Sequence, residues 1–135
     1  MQASVAFHAE FGADPVPMGP NAPLIFDRVL TNVGDGYDVI TGNFRAPVSG
    51  TYMFVFNYMG DINTYVYVNM YVDNTEVDYS ISHWGGSTWD HVSESLVVHL
   101  KAGQHVHLKN GSAETKKIRG HHWSTFSGFL IQTDP

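Results

Sequence analysis

The feature that most constrains the fold is the segment of residues 50–58, in which an aromatic ring occupies every second position. The four rings belong to Tyr52, Phe54, Phe56 and Tyr58. In a β-strand such rings all point to one face, while Met53 and Val55 make the centre of the other face apolar too. A strand that is apolar on both faces must be covered on both. In a chain of 135 residues one cover is the core of the domain, and we expect the other to be a second copy of the protein.

Short strand-like segments recur along the chain, and no long window shows the 3.6-residue apolar period of a helix. The clearest alternation is at residues 65–73, and the turn at Asp73 and Asn74 predicts a hairpin that returns through residues 75–82. Further strands are predicted at residues 4–11, 24–30, 43–46, 93–100, 104–109 and 126–132, and residues 13–23, which hold four prolines, are predicted to form a loop. Many short, regularly spaced strands indicate an all-β antiparallel sandwich such as a jelly roll.

Composition excludes several classes of function. The net charge of -6 argues against nucleic-acid binding, and the absence of cysteine excludes catalytic thiols, thiolate metal sites and disulfides. No segment is apolar and long enough to span a bilayer, so no membrane insertion is expected. The sequence also lacks a nucleophile elbow and a phosphate loop, which predicts a protein that is not an enzyme. Five of the seven Lys and Arg residues follow residue 90, so the last third of the chain is the better place for an anionic ligand.

The spacing of aromatic and small residues in the first half of the chain is specific. Phe26, Asn32, Tyr37, Phe44 and Gly50 are separated by five, four, six and five residues, and the alternating aromatic strand follows. This pattern resembles the signature of the globular head domain of complement C1q. The segments at residues 5–7, 96–106 and 124–131 are similar to the first strand, the penultimate hairpin and the last strand of that family.

The resemblance implies a ten-stranded jelly roll shared with tumour necrosis factor-like cytokines, a homotrimer, secretion, and recognition without catalysis. We expect one domain, residues 1–135, without the collagen stalk of many family members, as is typical of soluble invertebrate C1q-domain lectins. Met53 and Val55 are then predicted to face the threefold axis. Tyr65, Tyr67 and Tyr71 are a second candidate for trimer contact, and the alternative is a rim of exposed or loop-covered tyrosines.

Two loops are candidates for ligand binding, because the strands of a jelly roll are committed to packing. Residues 82–91 combine indole rings, which stack on the CH face of a sugar, with groups that hydrogen-bond its hydroxyls. Residues 116–124 combine cations with an aromatic ring, which suits an acidic sugar. The predicted binding residues are Trp84, Ser87, Thr88, Trp89 and Asp90 in the first loop and Lys117, Arg119, His121 and Trp123 in the second. Alternatively, the tryptophans plug the end of the sandwich or line the subunit interface.

Metal binding and glycosylation are weaker predictions. The resemblance implies a calcium site in some relatives, and here Asp90 is the matching carboxylate, although calcium prefers more oxygen ligands than one per chain. His105 and His107 share a strand face and could chelate a softer metal, whereas the alternative is a pair of surface or interface histidines. Asn110 begins an N-glycosylation sequon. We expect no required cofactor, with calcium as the candidate ion.

Three functions remain open from the sequence. The first is a trimeric innate-immune lectin or pattern-recognition protein that binds glycans, sialic acid or other acidic sugars included, on microbial surfaces. The second is a ligand of a cell-surface receptor, bound in the grooves between protomers. The third is an extracellular structural or mineral-associated protein that binds calcium or another metal.

Overall fold

A computed structural model describes residues 3–62, 64–83 and 88–135, which fold into an all-β sandwich. The strands are β1 (Ala6–Glu10), β2 (Val16–Met18), β3 (Arg28–Val33), β4 (Phe44–Arg45), β5 (Gly50–Gly60), β6 (Val66–Val72), β7 (Thr75–Ser82), β8 (Asp90–Leu100), β9 (His105–Asn110), β10 (Lys116–Ile118) and β11 (Thr125–Thr133). A 3₁₀ turn at His121–Trp123 precedes the last strand. The predicted all-β jelly-roll class is confirmed.

The strands form two antiparallel sheets. The large sheet runs β2-β10-β5-β11-β1-β3, and β8 also pairs with β5 along its whole length. The small sheet runs β4-β9-β6-β7. Strands consecutive in sequence are often not neighbours, as in β5 between β8 and β11, so the chain crosses repeatedly from one sheet to the other.

The described residues contain eleven strands, one more than the ten predicted. The sequence reading missed β2 and β10, which pair with each other and lengthen the large sheet. Proline-rich residues 13–23 were expected to be a loop throughout, but Pro17 lies inside β2. A proline is tolerated there because β2 is at the edge of the sheet, where no further strand needs its missing N–H.

The core lies between the sheets and is built on the alternating strand. All four rings of β5 are buried, and the side chains of Val66, Val68 and Met70 on β6 are buried against the same core. Phe7 stacks on Tyr37 and Phe44, with ring centroids 5.1 and 4.9 Å apart. The opposite face of β5, which carries Met53 and Val55, is half-buried in the protomer. One face of the strand is therefore fully buried within the protomer, and the other is only half-buried.

The spaced residues of the first half of the chain meet in space. The side chain of Asn32 donates to the Tyr37 carbonyl at 2.9 Å and accepts from the Tyr37 N–H at 3.1 Å. The Tyr37 hydroxyl in turn donates to the Phe26 carbonyl at 2.7 Å, and burial raises the pKa of this phenol. The spacing of Phe26, Asn32 and Tyr37 in the sequence thus corresponds to a chain of hydrogen bonds beside the core.

Candidate functional site

One end of the sandwich gathers both predicted binding loops. At this end Gly60 on β5 pairs with Asp90 on β8, and Asn57 pairs with Thr125 on β11. On the small sheet, Val68 pairs with Asn110 near the same end. We call this the loop end; of the described residues it includes 61, 62, 64, 65, 83, 88, 89 and 111–124. Trp84 and Ser87, two of the predicted ligand residues, lie outside the described residues.

Arg119 joins the two predicted loops. Its guanidinium carbon lies 5.3 Å from the ring centroid of Trp89 and 5.6 Å from that of Trp123. Both distances are those of cation–π contacts, which are worth about 0.5–1 kcal/mol each at exposed sites. We call Trp89, Arg119 and Trp123 the tryptophan–arginine cluster. Trp123 is 45% exposed, so a large part of its ring faces solvent.

The cluster is anchored by Asp14, a residue that the sequence reading did not select. Arg119 donates from Nε and Nη2 to the two Asp14 carboxylate oxygens, each at 2.9 Å, and the Gly120 N–H donates to the same carboxylate at 2.8 Å. The hydrogen bonds from Arg119, then that from Gly120, lower the pKa of Asp14 to about 2. A side chain is excluded at Gly120, since its Cβ would lie 1.6 Å from the Ala13 carbonyl oxygen.

This pairing changes the role predicted for Arg119. Both prongs of the guanidinium that could hold a ligand carboxylate are taken by the Asp14 carboxylate. The backbone is held as well, because the Arg119 N–H donates to the Met59 carbonyl and Ser124 Oγ donates to the Arg119 carbonyl at 2.6 Å. Arg119 therefore positions the two indoles. Its contact with a ligand stays a prediction, and such a contact would have to use the edge of the guanidinium that does not face Asp14.

The other predicted ligand residues that the structure describes are not part of this cluster. Thr88, Lys117 and His121 are exposed. Lys117 lies in β10 opposite Pro17, and His121 begins the 3₁₀ turn with a backbone φ of 50°. Their binding roles stay predictions.

The predicted metal ligands lack a common centre. Asp90 is half-buried and its Oδ2 accepts the His83 N–H at 2.7 Å. The rings of His105 and His107 do share a face, but they stack with centroids 5.2 Å apart, so their in-plane lone pairs do not converge on one ion. His105 Nδ1 lies 3.1 Å from Asp73, and His107 is 7% exposed. Among the described residues no group of three or more His, Cys, Asp or Glu side chains could hold a metal ion.

Asn110 is buried, which argues against the glycan predicted for it. Its side chain is 0% exposed, and its Nδ2 donates to the carbonyls of Met18, Gly19 and Glu114 at 3.1, 2.9 and 3.2 Å. A glycan would have to be attached to this same nitrogen, and the fold leaves neither the atom nor the space for it. Asn110 instead ties β9 to β2 and to the loop that follows β9.

The two surfaces predicted for trimer contact lie back to back. Met53 and Val55 point outward from the large sheet, whereas Tyr67 and Tyr71 point outward from the small sheet. In a closed ring of three, both neighbours of a protomer lie on its axis side. The ring can therefore place only one of these surfaces on its axis side, and both stay predictions. Tyr71 is moreover stacked on His107 and lies under the Lys109 ammonium, 4.9 Å from it.

No helix among the described residues is long and apolar enough to cross a membrane.

Comparison with known proteins supplies the family. The family model of the C1q domain matches residues 6–131. Human complement C1q tumor necrosis factor-related protein 3 is 41% identical over 117 residues, which cover 82% of this chain and 45% of that relative. This chain thus spans less than half the length of that protein.

Two solved structures share the fold. The globular domain of zebrafish complement 1qA protein superposes with a TM-score of 0.82 at 22% identity, covering 96% of this chain and 99% of that one. Eiger TNF from S. frugiperda superposes with a TM-score of 0.81 at 12% identity, covering 99% and 96%. At these identities both likenesses concern the fold alone.

Proposed function

This chain belongs to the C1q-domain family, and from that premise we propose that it is a secreted, non-enzymatic, homotrimeric lectin of innate immunity. The observation that carries the carbohydrate assignment is the tryptophan–arginine cluster at the loop end. A half-exposed indole is held on a guanidinium that is itself fixed by Asp14. Ordered aromatic surface beside polar groups is what the apolar face of a sugar ring requires.

The surroundings of Trp123 favour an acidic glycan. Lys117 and His121 are exposed near it in sequence, and Arg119 remains cationic because Asp14 raises its pKa further. Thr88 and Asp90 flank Trp89 and offer hydroxyl and carboxylate groups for sugar hydroxyls. The same surface can accept microbial glycans, and calcium stays a candidate ion rather than a required cofactor.

The homotrimer is supported by the outer face of the large sheet. Met53 pairs across the strands with Val97 on one side and with Phe129 on the other. Val97 is 58% exposed and Phe129 is 46% exposed, so a row of apolar side chains is uncovered in the protomer. A neighbour in a threefold ring would cover this row, and the opposite face, with Tyr67 and Tyr71, would remain outside.

A glycan array read with and without chelator tests the proposal. Native protein should bind acidic glycans, Trp123→Ala should lose most of that binding, and Trp123→Tyr should retain part because it keeps an aromatic face. Light scattering on Met53→Glu should show a monomer where native protein is a trimer. An array without hits would refute the lectin assignment, and a monomeric native protein would refute the trimer. A loss of binding on chelation would add calcium to the site.

A receptor ligand is the second candidate. It is favoured by the fold likeness to Eiger TNF, since tumour necrosis factor-like proteins bind cell-surface receptors. Such a partner would contact the grooves between protomers rather than the loop end. Competition by free sugar separates the two, because it would abolish cell binding by a lectin and leave receptor binding unchanged. The third function, mineral association, would be indicated by chelator-sensitive binding without sugar competition.

A further inference from the structure

A groove at the loop end of the small sheet lies beside the tryptophan–arginine cluster but shares no residue with it. Its volume is about 420 Å³, within the range of small-molecule sites. It is lined by Thr64, Tyr65, Tyr67, Gly111, Ser112, Ala113, Glu114 and Lys116. We call it the tyrosine–lysine groove. One wall is the start of β6, and the other is the loop between β9 and β10.

The two walls are tied together by one backbone hydrogen bond and one hydrogen bond to a side chain. The Gly111 N–H donates to the Tyr67 carbonyl at 2.9 Å, and the Tyr67 N–H donates to Ser112 Oγ at 3.3 Å. A Cβ at position 111 would lie 2.5 Å from Nδ2 of Asn69, so a side chain there would require the Asn69 amide to shift. The groove is therefore formed before any ligand arrives, which lowers the entropic cost of binding.

The buried side chain of Asn110 holds the loop between β9 and β10 in place. Its Oδ1 accepts the Ser112 N–H at 2.9 Å, and its Nδ2 donates to the Glu114 carbonyl at 3.2 Å. The buried asparagine of the apparent glycosylation sequon thus shapes the far wall of the groove. The sequon therefore has a structural role that could not be predicted from its three residues alone.

The chemistry of the groove combines aromatic faces with an incompletely neutralised cation. Tyr65 and Tyr67 are 44% and 41% exposed. The Lys116 side chain is 15% exposed, its ammonium lies 2.5 Å from Thr64 Oγ1, and the Glu114 carboxylate is 3.7 Å away on a side chain that is 79% exposed. An ammonium on a side chain that is only 15% exposed, with so distant and solvated a partner, gains from a closer anion.

A second depression extends the groove. It has a volume of about 310 Å³ and shares Thr64 and Lys116 with the first, while Lys117 adds another cation and Asp61 a carboxylate to its lining. Two adjoining depressions that meet at one ammonium fit consecutive rings of an oligosaccharide with a charged group at the junction.

We propose, building on the carbohydrate assignment above, that the tyrosine–lysine groove binds a carboxylated sugar residue. The Lys116 ammonium contacts the sugar carboxylate, the ring of Tyr67 covers the apolar face of the sugar, and the hydroxyls of Ser112 and Thr64 bind its hydroxyls. The proposal gives Tyr65 and Tyr67 a role in ligand binding in place of trimer contact. It also moves the charge selectivity from Arg119, which is paired with Asp14, to Lys116.

The test uses oligosaccharides that carry glucuronate, galacturonate or sialate, each paired with its neutral methyl ester. Isothermal titration of the native trimer should show affinity for the acid at least about tenfold above that for the ester, as expected for one charge-assisted hydrogen bond. Lys116→Gln should remove this preference, and Lys101→Gln, which makes the same charge change at the opposite end of the sandwich, should keep it. Because the acid–ester comparison is also made on unmodified protein, it does not depend on the folding of a variant.

Aromatic variants give the second arm. Tyr67→Ala should weaken binding of the acid and the ester alike by about tenfold or more, whereas Tyr79→Ala, an exposed tyrosine of the same sheet, should leave both unchanged. Equal affinity for acid and ester would overturn the groove proposal. So would binding that falls in Trp123→Ala and persists in both Lys116→Gln and Tyr67→Ala, which would still leave the lectin function standing. Native protein that binds none of these oligosaccharides and no neutral glycan would overturn both.

Discussion

The aromatic side chains of the interior and those of the loop end follow different rules. Tyr52 and Phe54 are 0% exposed, and their neighbours are other rings of the core. Trp123 and Tyr67 are nearly half exposed, and their neighbours are a guanidinium and the hydroxyls and backbone of a loop. A ring in the interior has already gained all that burial can contribute. A ring at the loop end still has apolar surface to cover, which is why a ligand can use it.

The largest expected effect is a difference in the free energy of unfolding between variants of the interior and variants of the loop end. Phe54→Ala should lower the free energy of unfolding by about 3–5 kcal/mol, because it leaves a cavity among rings that cannot collapse to fill it. Trp123→Ala should cost only about 1 kcal/mol, since it removes one exposed cation–π contact. Chemical denaturation at equal protein concentration measures both. Similar losses in the two variants would mean that the tryptophan–arginine cluster belongs to the core.

Substitution of Asn110 tests whether this residue contributes to stability like a residue of the interior. Asn110→Ala should cost about 3 kcal/mol, because three backbone carbonyls and one N–H lose their partner in a buried place. The exposed Asn74→Ala is the matched control and should change stability by less than about 0.5 kcal/mol. Mass spectrometry of protein from a secretory host should show an unmodified Asn110. A glycan on this residue, or an unchanged Asn110→Ala, would contradict the buried hub.

His107 is a ring on the outer face that is nonetheless buried like an interior one. Burial first, and then the charges of His105 and Lys109, lower its pKa to about 4 against the opposing effect of Asp73. As the pH falls, the unfolded chain takes up the proton near pH 6.5 while the folded state stays neutral. Stability is therefore lost between about pH 6.5 and 4, by about 3 kcal/mol in total.

The measurement is the free energy of unfolding across that pH range. His107→Leu should flatten the curve, because leucine fills the place without titrating, and the exposed His122→Leu should keep the native slope. If His107→Leu follows the native curve, the acid sensitivity arises elsewhere, for example in the trimer contacts.

The smallest expected effect concerns the anchor of the loop end. Asp14→Asn removes the carboxylate that holds Arg119, so the indoles should become less ordered and glycan affinity should fall by about threefold. Because the pKa of Asp14 is lowered, its ionised carboxylate contributes fully to the stability of the fold above pH 3.8. This contribution is lost as the pH falls through about 2. Asp35→Asn, an exposed residue at the opposite end, should not change glycan affinity. A larger loss of affinity than in Trp123→Ala would indicate direct contact between Asp14 and the ligand.

Prediction from the sequence succeeded where the signal was periodic. The alternation around Phe54 and that around Val68 each reported a two-residue period, which is a local property of strands. It failed at β2 and β10, because three-residue strands are too short to show a period and their pairing joins positions about 100 residues apart. The sequence named Trp89, Arg119 and Trp123 as candidates, and the structure brings them together. Their contacts were not predicted, since the partner of Arg119 is Asp14, at the other end of the chain.

The sequence by itself determined the all-β class, the family and the strand that needs two covers, because these depend on the order of apolar and polar residues along the backbone. Only the tertiary structure decided that Asn110 is a buried hub rather than a glycan carrier, and that Arg119 is already paired. It alone placed Tyr67 beside Lys116 and set Tyr67 and Met53 on opposite faces of the sandwich. The physical reason is that burial, hydrogen-bond partners and charge pairing are properties of neighbours in space, and in an antiparallel sandwich most of those neighbours are distant in sequence.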